Sequence, residues 1–255
     1  MSASSDKQNP TLSPPADNAQ ILHVLTHGVM TEAHGGLLKW SSNRTFLVCL
    51  EYEAVRLLAV YKPQRGERPL WDFPDGTLCL RETAAYTISA ALGWHVVPPT
   101  VLRGGTGGIG SVQYYIPHDP EVNYFTLEES FAGQLQQMVA LDLMINNADR
   151  KGGHCLVDER GKMWGIDHGI AFHTAPKLRT VIWDFAGQPI PDTLLKDMER
   201  VYCLVEDPSQ PLRSSLEKLL DRTEVGAFLA RTRKLLQRRE FPRPGPGPNY
   251  PWPPV

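Results

Sequence analysis

The chain has 255 residues, 42% of them hydrophobic and 21% charged, enough to bury one large core or two smaller lobes. A formal net charge of −2 argues against wholesale nucleic-acid binding, which needs a concentrated basic face, so an anionic ligand has to be met locally. No apolar run approaches the roughly 20 residues of a membrane span. The cysteines Cys49, Cys79, Cys155 and Cys203 are scattered, without a C-x-x-C pair or a secretory leader ahead of them, so a reducing cytoplasm and no integral membrane association are expected.

Residues 1–19 are rich in Ser, Pro, Asn and Asp and hold too few apolar groups to offset the entropy of ordering; they read as a disordered tail. Strand signals follow at 21–25, 35–40 and 45–50, the last two joined by a polar turn at Ser41, Ser42, Asn43 and Arg44. Successive backbone N–H groups at such a tip suit phosphate oxygens, although most turns of this composition are only turns. A near-continuous apolar strand at 57–63 ends by presenting Lys62, whose ammonium must find an anion or stay in water. A helix is expected over 82–92, stopped by Gly93, with Glu82 in its first turn and within reach of Lys62. Between them the Pro- and aromatic-rich loop 66–76 is longer than a connection requires and is expected to cover a site.

Gly105, Gly107 and Gly110 satisfy G-x-G-x-x-G, yet the segment after them continues as a strand, whereas a dinucleotide fingerprint opens a helix. The glycines therefore read as a hairpin turn between strands at 100–102 and 111–116. After a linker at 118–126 the pattern becomes helical at 128–145, then irregular at 172–191, then helical again at 192–204, 211–220 and 224–239. The basic run Arg231, Arg233, Lys234, Arg238 and Arg239 reads as a solvated helix face. Residues 241–255 are proline-rich and are expected to form a disordered, solvated tail, with docking into an aromatic groove as the alternative.

The chemistry concentrates in 146–169, where a probable hairpin of 155–157 and 163–166 carries Asp149 and Asp167 on the loops at its ends. Two carboxylates brought into one small volume need a cation or a shared proton between them. Strands with one helix, a linker, then helices around this hairpin describe a two-lobed α+β arrangement, with lobes at 20–117 and 118–240.

Ser41-Ser42-Asn43, Val60-Tyr61-Lys62-Pro63, Arg81-Glu82, Asn147-Ala148-Asp149-Arg150 and Ile166-Asp167-His168-Gly169, in this order and spacing, resemble the lipid-kinase-like branch of the protein-kinase superfold. That branch holds the phosphatidylinositol 3- and 4-kinases and the bacterial toxin serine kinases. Over about residues 20–200 the chain is most similar to a bacterial family carrying this catalytic domain. The resemblance implies a kinase-like fold, with an N-terminal mainly antiparallel β lobe holding one helix and a C-terminal mainly α lobe. It implies ATP-dependent phosphoryl transfer with Mg²⁺ as cofactor. Lys62 would pair the ATP phosphates with Glu82 holding it, Ser41 to Asn43 would cover the phosphates, and Asp149 would orient the attacking hydroxyl and accept its proton. Asp167 would bind metal, and adenine would lie against 112–115 with Gln113, Tyr114 and Tyr115 as its hydrogen-bonding edge.

One position departs from the pattern. Five residues after Asp149, where these kinases place an asparagine that helps hold a second Mg²⁺, stands His154, a softer ligand suited to Mn²⁺, Fe or Zn. Two rival readings follow: a catalytically inactive kinase fold that binds nucleotide or protein, and a metal-dependent hydrolase built on Asp149, His154, Asp167, His168 and His173. The acceptor is left open among a protein side chain, a small molecule and a lipid headgroup.

Overall fold

A computed structural model describes residues 17–37 and 44–255. The expected phosphate-covering tip, Ser41 to Asn43, and most of the first tail lie outside the described residues.

The first described element corrects the sequence reading. Residues 21–25 form no strand but belong to helix α1 (Asn18–His27), whose N-cap Asp17 accepts from Gln20 N–H at 2.8 Å. The β-branched Ile21 and Val24 suggested a strand, yet with Leu25 they stand at i, i+3 and i+4, a helical stripe that is buried as one face. Strands β1 (Val29–Leu37), β2 (Phe46–Tyr52), β3 (Val55–Pro63), β4 (Thr100–Gly105) and β5 (Gly108–Tyr114) make an antiparallel sheet in the order β1-β2-β3-β5-β4. Alternation along β3 sorts its two faces: Leu57, Ala59 and Tyr61 are buried with Val48, Leu50, Val112 and α1, which leaves Lys62 on the opposite face. The glycine hairpin is as expected, tightened to a turn at 106–107. At Gly110 a Cβ would come within 2.4 Å of Lys62 O, so only glycine lets β5 lie this close to β3.

Helix α2 (Leu78–Leu92) begins four residues before the sequence suggested. Glu82 is therefore not in its first turn; the orphan amides there are capped by Glu67 from the preceding loop, whose carboxylate accepts from Leu78 N–H at 3.1 Å and Cys79 N–H at 2.8 Å. One side of α2, through Ala84, Ala85, Ile88 and Leu92, joins the main core with α3 (Ala132–Ile145), α4 (Asp192–Glu206) and α6 (Arg222–Arg238). Buried Arg81 adds a 2.5 Å ion pair to Glu224 of α6 and a 2.7 Å hydrogen bond to Ala171 O. The helix that carries Glu82 is thus fixed to the second lobe by apolar packing and a paired charge.

The small hairpin β6 (Cys155–Val157) and β7 (Met163–Gly165) forms as expected, and α5 (Pro211–Glu217) completes the helical lobe. No helix among the described residues is long and apolar enough to cross a membrane.

The second correction concerns 241–255. Phe241 is buried in the main core, Thr180 N–H donates to Asn249 O at 3.0 Å, and Gly152 N–H donates to Pro254 O at 2.8 Å. The expected solvated tail packs against the helical lobe, because proline carbonyls are ready acceptors for loop amides and Phe241 and Pro251 supply apolar anchors.

Candidate active site

Three short segments meet in a cleft of about 320 Å³ between the sheet and the helical lobe: the end of β3, the first half of α2, and the loops on either side of the β6-β7 hairpin. Lys62 Nζ lies 2.5 Å from Glu82 Oε1 and is also hydrogen-bonded to Asp167 Oδ1. The other Glu82 oxygen accepts from His168 N–H at 3.0 Å, so Glu82 ties the lysine strand to the Asp167 loop. Burial by itself would depress the Lys62 ammonium, but Asp167 and Glu82 outweigh it and hold the pKa above the ordinary lysine value. Burial likewise opposes ionisation of Asp167, and the Lys62 charge overcomes it, keeping the carboxyl well below the usual range. Asp167 has φ +59°, a left-handed conformation costing a non-glycine residue about 1–3 kcal/mol. Its side chain remains 44% exposed, facing the cleft.

Asp149 lines the same cleft. Its nearest cation is Lys151 Nζ at 3.7 Å, and burial, which Lys151 only partly offsets, pushes its pKa up to about 6. A carboxylate poised there is a stronger base than an ordinary aspartate and is still ionised at neutral pH.

His154 settles its own tautomer. Its Nδ1 lies 2.8 Å from Asp149 O, an acceptor, and 3.5 Å from Lys151 N, a donor; the shorter contact assigns the proton to Nδ1. Burial depresses its pKa to about 4, so the ring is neutral and Nε2 keeps a lone pair. That lone pair lies 3.3 Å from Asp167 Oδ2, two acceptors facing each other. An imidazole anchored through one nitrogen to a carbonyl, with the other aimed beside a carboxylate, is how proteins present histidine to a divalent cation.

The loop owes its shape to a residue to which sequence reasoning assigned no role. Arg150 is fully buried and forks onto Asp142 of α3, Nε to Oδ2 at 2.8 Å and Nη2 to Oδ1 at 3.0 Å. It also donates to His154 O and Ile166 O, each at 3.1 Å, and to His168 Nε2 at 2.6 Å. Asn147 adds a 2.9 Å bond to Asp142 and accepts from Asp149 N–H at 3.1 Å. One guanidinium thus fixes the two ends of the hairpin relative to α3. The only hint in the sequence is the Asp-Arg dipeptide; the partner lies eight residues earlier, beyond a helix end.

Other expected site residues lie elsewhere. Gln113 is buried and donates to Thr100 Oγ1 at 2.9 Å. Tyr114 N–H donates to Pro99 O at 2.8 Å and Tyr115 N–H to Leu58 O at 3.0 Å, so these amides are engaged inside the sheet lobe and none of the three residues lines the acidic cleft. His168 Nε2 accepts from Arg150 while its buried Nδ1 has no hydrogen-bond partner among the described residues, and His173 Nδ1 accepts from Ala175 N–H at 3.0 Å. Among the described residues no group of three or more His, Cys, Asp or Glu side chains is gathered to hold a metal ion, which leaves the hydrolase reading without its cluster.

Comparison with known proteins now bears on this cleft. Residues 104–224 match the family described as phosphatidylinositol 3- and 4-kinase, a span that includes Asp149, His154 and Asp167. Protein Rv2133c of Mycobacterium tuberculosis is 38% identical over 266 aligned positions, which cover 90% of this chain and 94% of that one. The chain belongs to the Rv2133c family. Within this chain the phosphatidylinositol 3- and 4-kinase match covers a little under half of the residues. The fold is kinase-like. The crystal structure of the Helicobacter pylori proinflammatory kinase CtkA superposes with a TM-score of 0.53 at 13% identity, over 85% of this chain and 94% of that one. The structure of hydra Fam20 with sugar gives 0.52 at 13% identity, over 86% and 88% of the two chains. Lys62 and Glu82 precede the matched span, so their placement rests on the geometry.

Proposed function

We propose that this member of the Rv2133c family is an ATP-dependent phosphotransferase acting on a hydroxyl acceptor. The observation that carries this reading is the Lys62–Glu82 pair, 2.5 Å apart and joined to Asp167 in the same cleft as Asp149. In kinases such a pair has to be in place before transfer is competent; here α2, packed on the main core, holds Glu82 against Lys62. Lys62 binds the nucleotide phosphates as a fixed positive charge, and Asp149 orients the acceptor hydroxyl and takes its proton at a carboxylate oxygen. Asp167 and the lone pair of His154 Nε2 would hold a divalent cation, with Mn²⁺ a better match than Mg²⁺ for the nitrogen. When bound, the cation supplies neutralisation of phosphate charge. Ser41, Ser42 and Asn43 are proposed to close over the phosphates, and a base edge near Tyr115 has to use carbonyls or residues beyond that position, since its amide is engaged. Catalysis here is positioning plus electrostatics.

The test is nucleotide turnover by the full chain with Mg²⁺ or Mn²⁺. Lys62→Ala and Asp167→Ala are each expected to abolish ATP hydrolysis or autophosphorylation with the fold intact. Near-normal turnover in either variant removes that residue from its role, and ATP binding without transfer to any acceptor establishes the inactive fold instead.

A further inference from the structure

The proline-rich segment 249–255 passes where an acceptor would have to arrive. Pro253 borders the cleft that holds Lys62, Asp149 and Asp167. Gly152, which donates to Pro254 O at 2.8 Å, lies in the loop between Asp149 and His154. The other contacts are of the same kind: Asn249 O accepts from Thr180 N–H at 3.0 Å and from Trp183 Nε1 at 3.3 Å, and Thr180 bridges to Arg150 of the catalytic loop. Each of these donors captures a main-chain carbonyl. Pro251 is buried, whereas Trp252 is 89% exposed, so one residue is seated while its neighbour faces out.

We infer that this surface is the acceptor lane of the site, that it takes an extended hydroxyl-bearing polypeptide, and that residues 249–255 are its resident occupant. The inference rests on the phosphotransferase reading above and adds the substrate class. Carbonyl capture by Gly152, Thr180 and Trp183 is independent of sequence and fits any extended chain. The part of the occupant that borders the cleft, Pro251 to Val255, carries no hydroxyl; the one hydroxyl in 249–255 is the phenol of Tyr250. The occupant is also built to leave: Phe241 is anchored in the core, while 243–248, with Gly245 and Gly247, is exposed, so 249–255 can swing away without exposing Phe241.

The experiment compares the unaltered full chain with the full-length variant P251G/P254G, which frees the segment by raising its conformational entropy. With a degenerate Ser/Thr/Tyr peptide library as acceptor, the KM for peptide is expected to fall about tenfold, the tethered segment acting as a competitor at high effective concentration. The KM for ATP stays unchanged, and the melting temperature falls only slightly with the loss of the seated Pro251. The free peptide Asn-Tyr-Pro-Trp-Pro-Pro-Val is expected to inhibit the variant competitively with acceptor peptide and not with ATP. An unchanged peptide KM, inhibition competitive with ATP, or transfer only to an inositol lipid or a small polyol overturns the proposal. Absence of Mn²⁺- or Mg²⁺-ATP binding by both chains overturns the phosphotransferase reading, and with it the acceptor role. The lane itself is then read by fluorescence anisotropy of the labelled peptide: binding to the variant but not to the unaltered chain supports the resident occupant, and binding to neither refutes it.

Discussion

Arg150, fully buried, and Lys62, partly buried, are two cations about one hairpin, and they have opposite designs. All the partners of Arg150 are internal: a carboxylate of α3, two carbonyls and a ring nitrogen, with no exposure at all. Lys62 is 15% exposed and shares its charge between Glu82, which is internal, and Asp167, which is open to the cleft. A cation with every partner inside the fold has nothing left to offer a ligand. A cation held by one internal carboxylate and one solvent-facing carboxylate can exchange the second for phosphate without leaving a buried charge unpaired. The first arrangement is scaffold and the second is a binding device.

The comparison is broken most severely at Arg150. Arg150→Ala leaves Asp142 buried and uncompensated and strips donors from His154 O and Ile166 O, so a stability loss of about 3–5 kcal/mol is expected by chemical denaturation. Lys62→Ala should cost markedly less, because Asp167 gains water and Glu82 keeps the His168 amide, yet it should lower turnover by at least about 10²–10³. If the two variants lose equal stability, the distinction between scaffold and binding device fails.

A subtler change sharpens the cation side. His154→Asn restores an amide oxygen where the imidazole lone pair stands, and the affinity for Mn²⁺, measured by titration calorimetry with nucleotide present, is expected to fall about tenfold relative to Mg²⁺. The change removes the bond from Nδ1 to Asp149 O, so a loss of affinity for both cations alike would instead indicate that His154 only holds the loop.

How far these roles are legible in the sequence follows from the range of the interactions. Lys62, Glu82, Asp149 and Asp167 could be singled out because each is a charged group next to an apolar run or a turn, and the structure brings all four into one cleft. The α+β order and the β6-β7 hairpin follow from local periodicity and turn chemistry. Arg150 could not be assigned, since its burial depends on a fork to Asp142 across the end of α3, and Glu67 could not be recognised as the α2 cap from eleven residues away. Helix α1 was misread because β-branched residues carry a strand preference that tertiary burial against the sheet overrides. Composition points to a solvated proline-rich segment because it reports what a segment can bury by itself, not the donors another loop offers it.

The smallest expected effect tests a third kind of cation, one bridging the lobes near the surface. Lys177 Nζ lies 2.6 Å from Asp72 Oδ2 and 5.2 Å from the ring centroid of Trp71, joining the loop before α2 to the segment after Asp167. Burial opposes ionisation of Asp72, but the hydrogen bond and charge of Lys177 prevail and hold its carboxyl below the usual range. Because the folded pKa is depressed, the pair contributes stability above the unfolded value of about 4, and the contribution disappears as the pH falls through the folded value. A double-mutant cycle of Asp72→Asn and Lys177→Ala at pH 7 is expected to give a coupling of about 0.5–1 kcal/mol, shrinking with added salt and vanishing in acid. A coupling that survives in acid would assign the bridge to packing of the Lys177 stem on Trp71, since a charge pair cannot outlast protonation of its carboxylate.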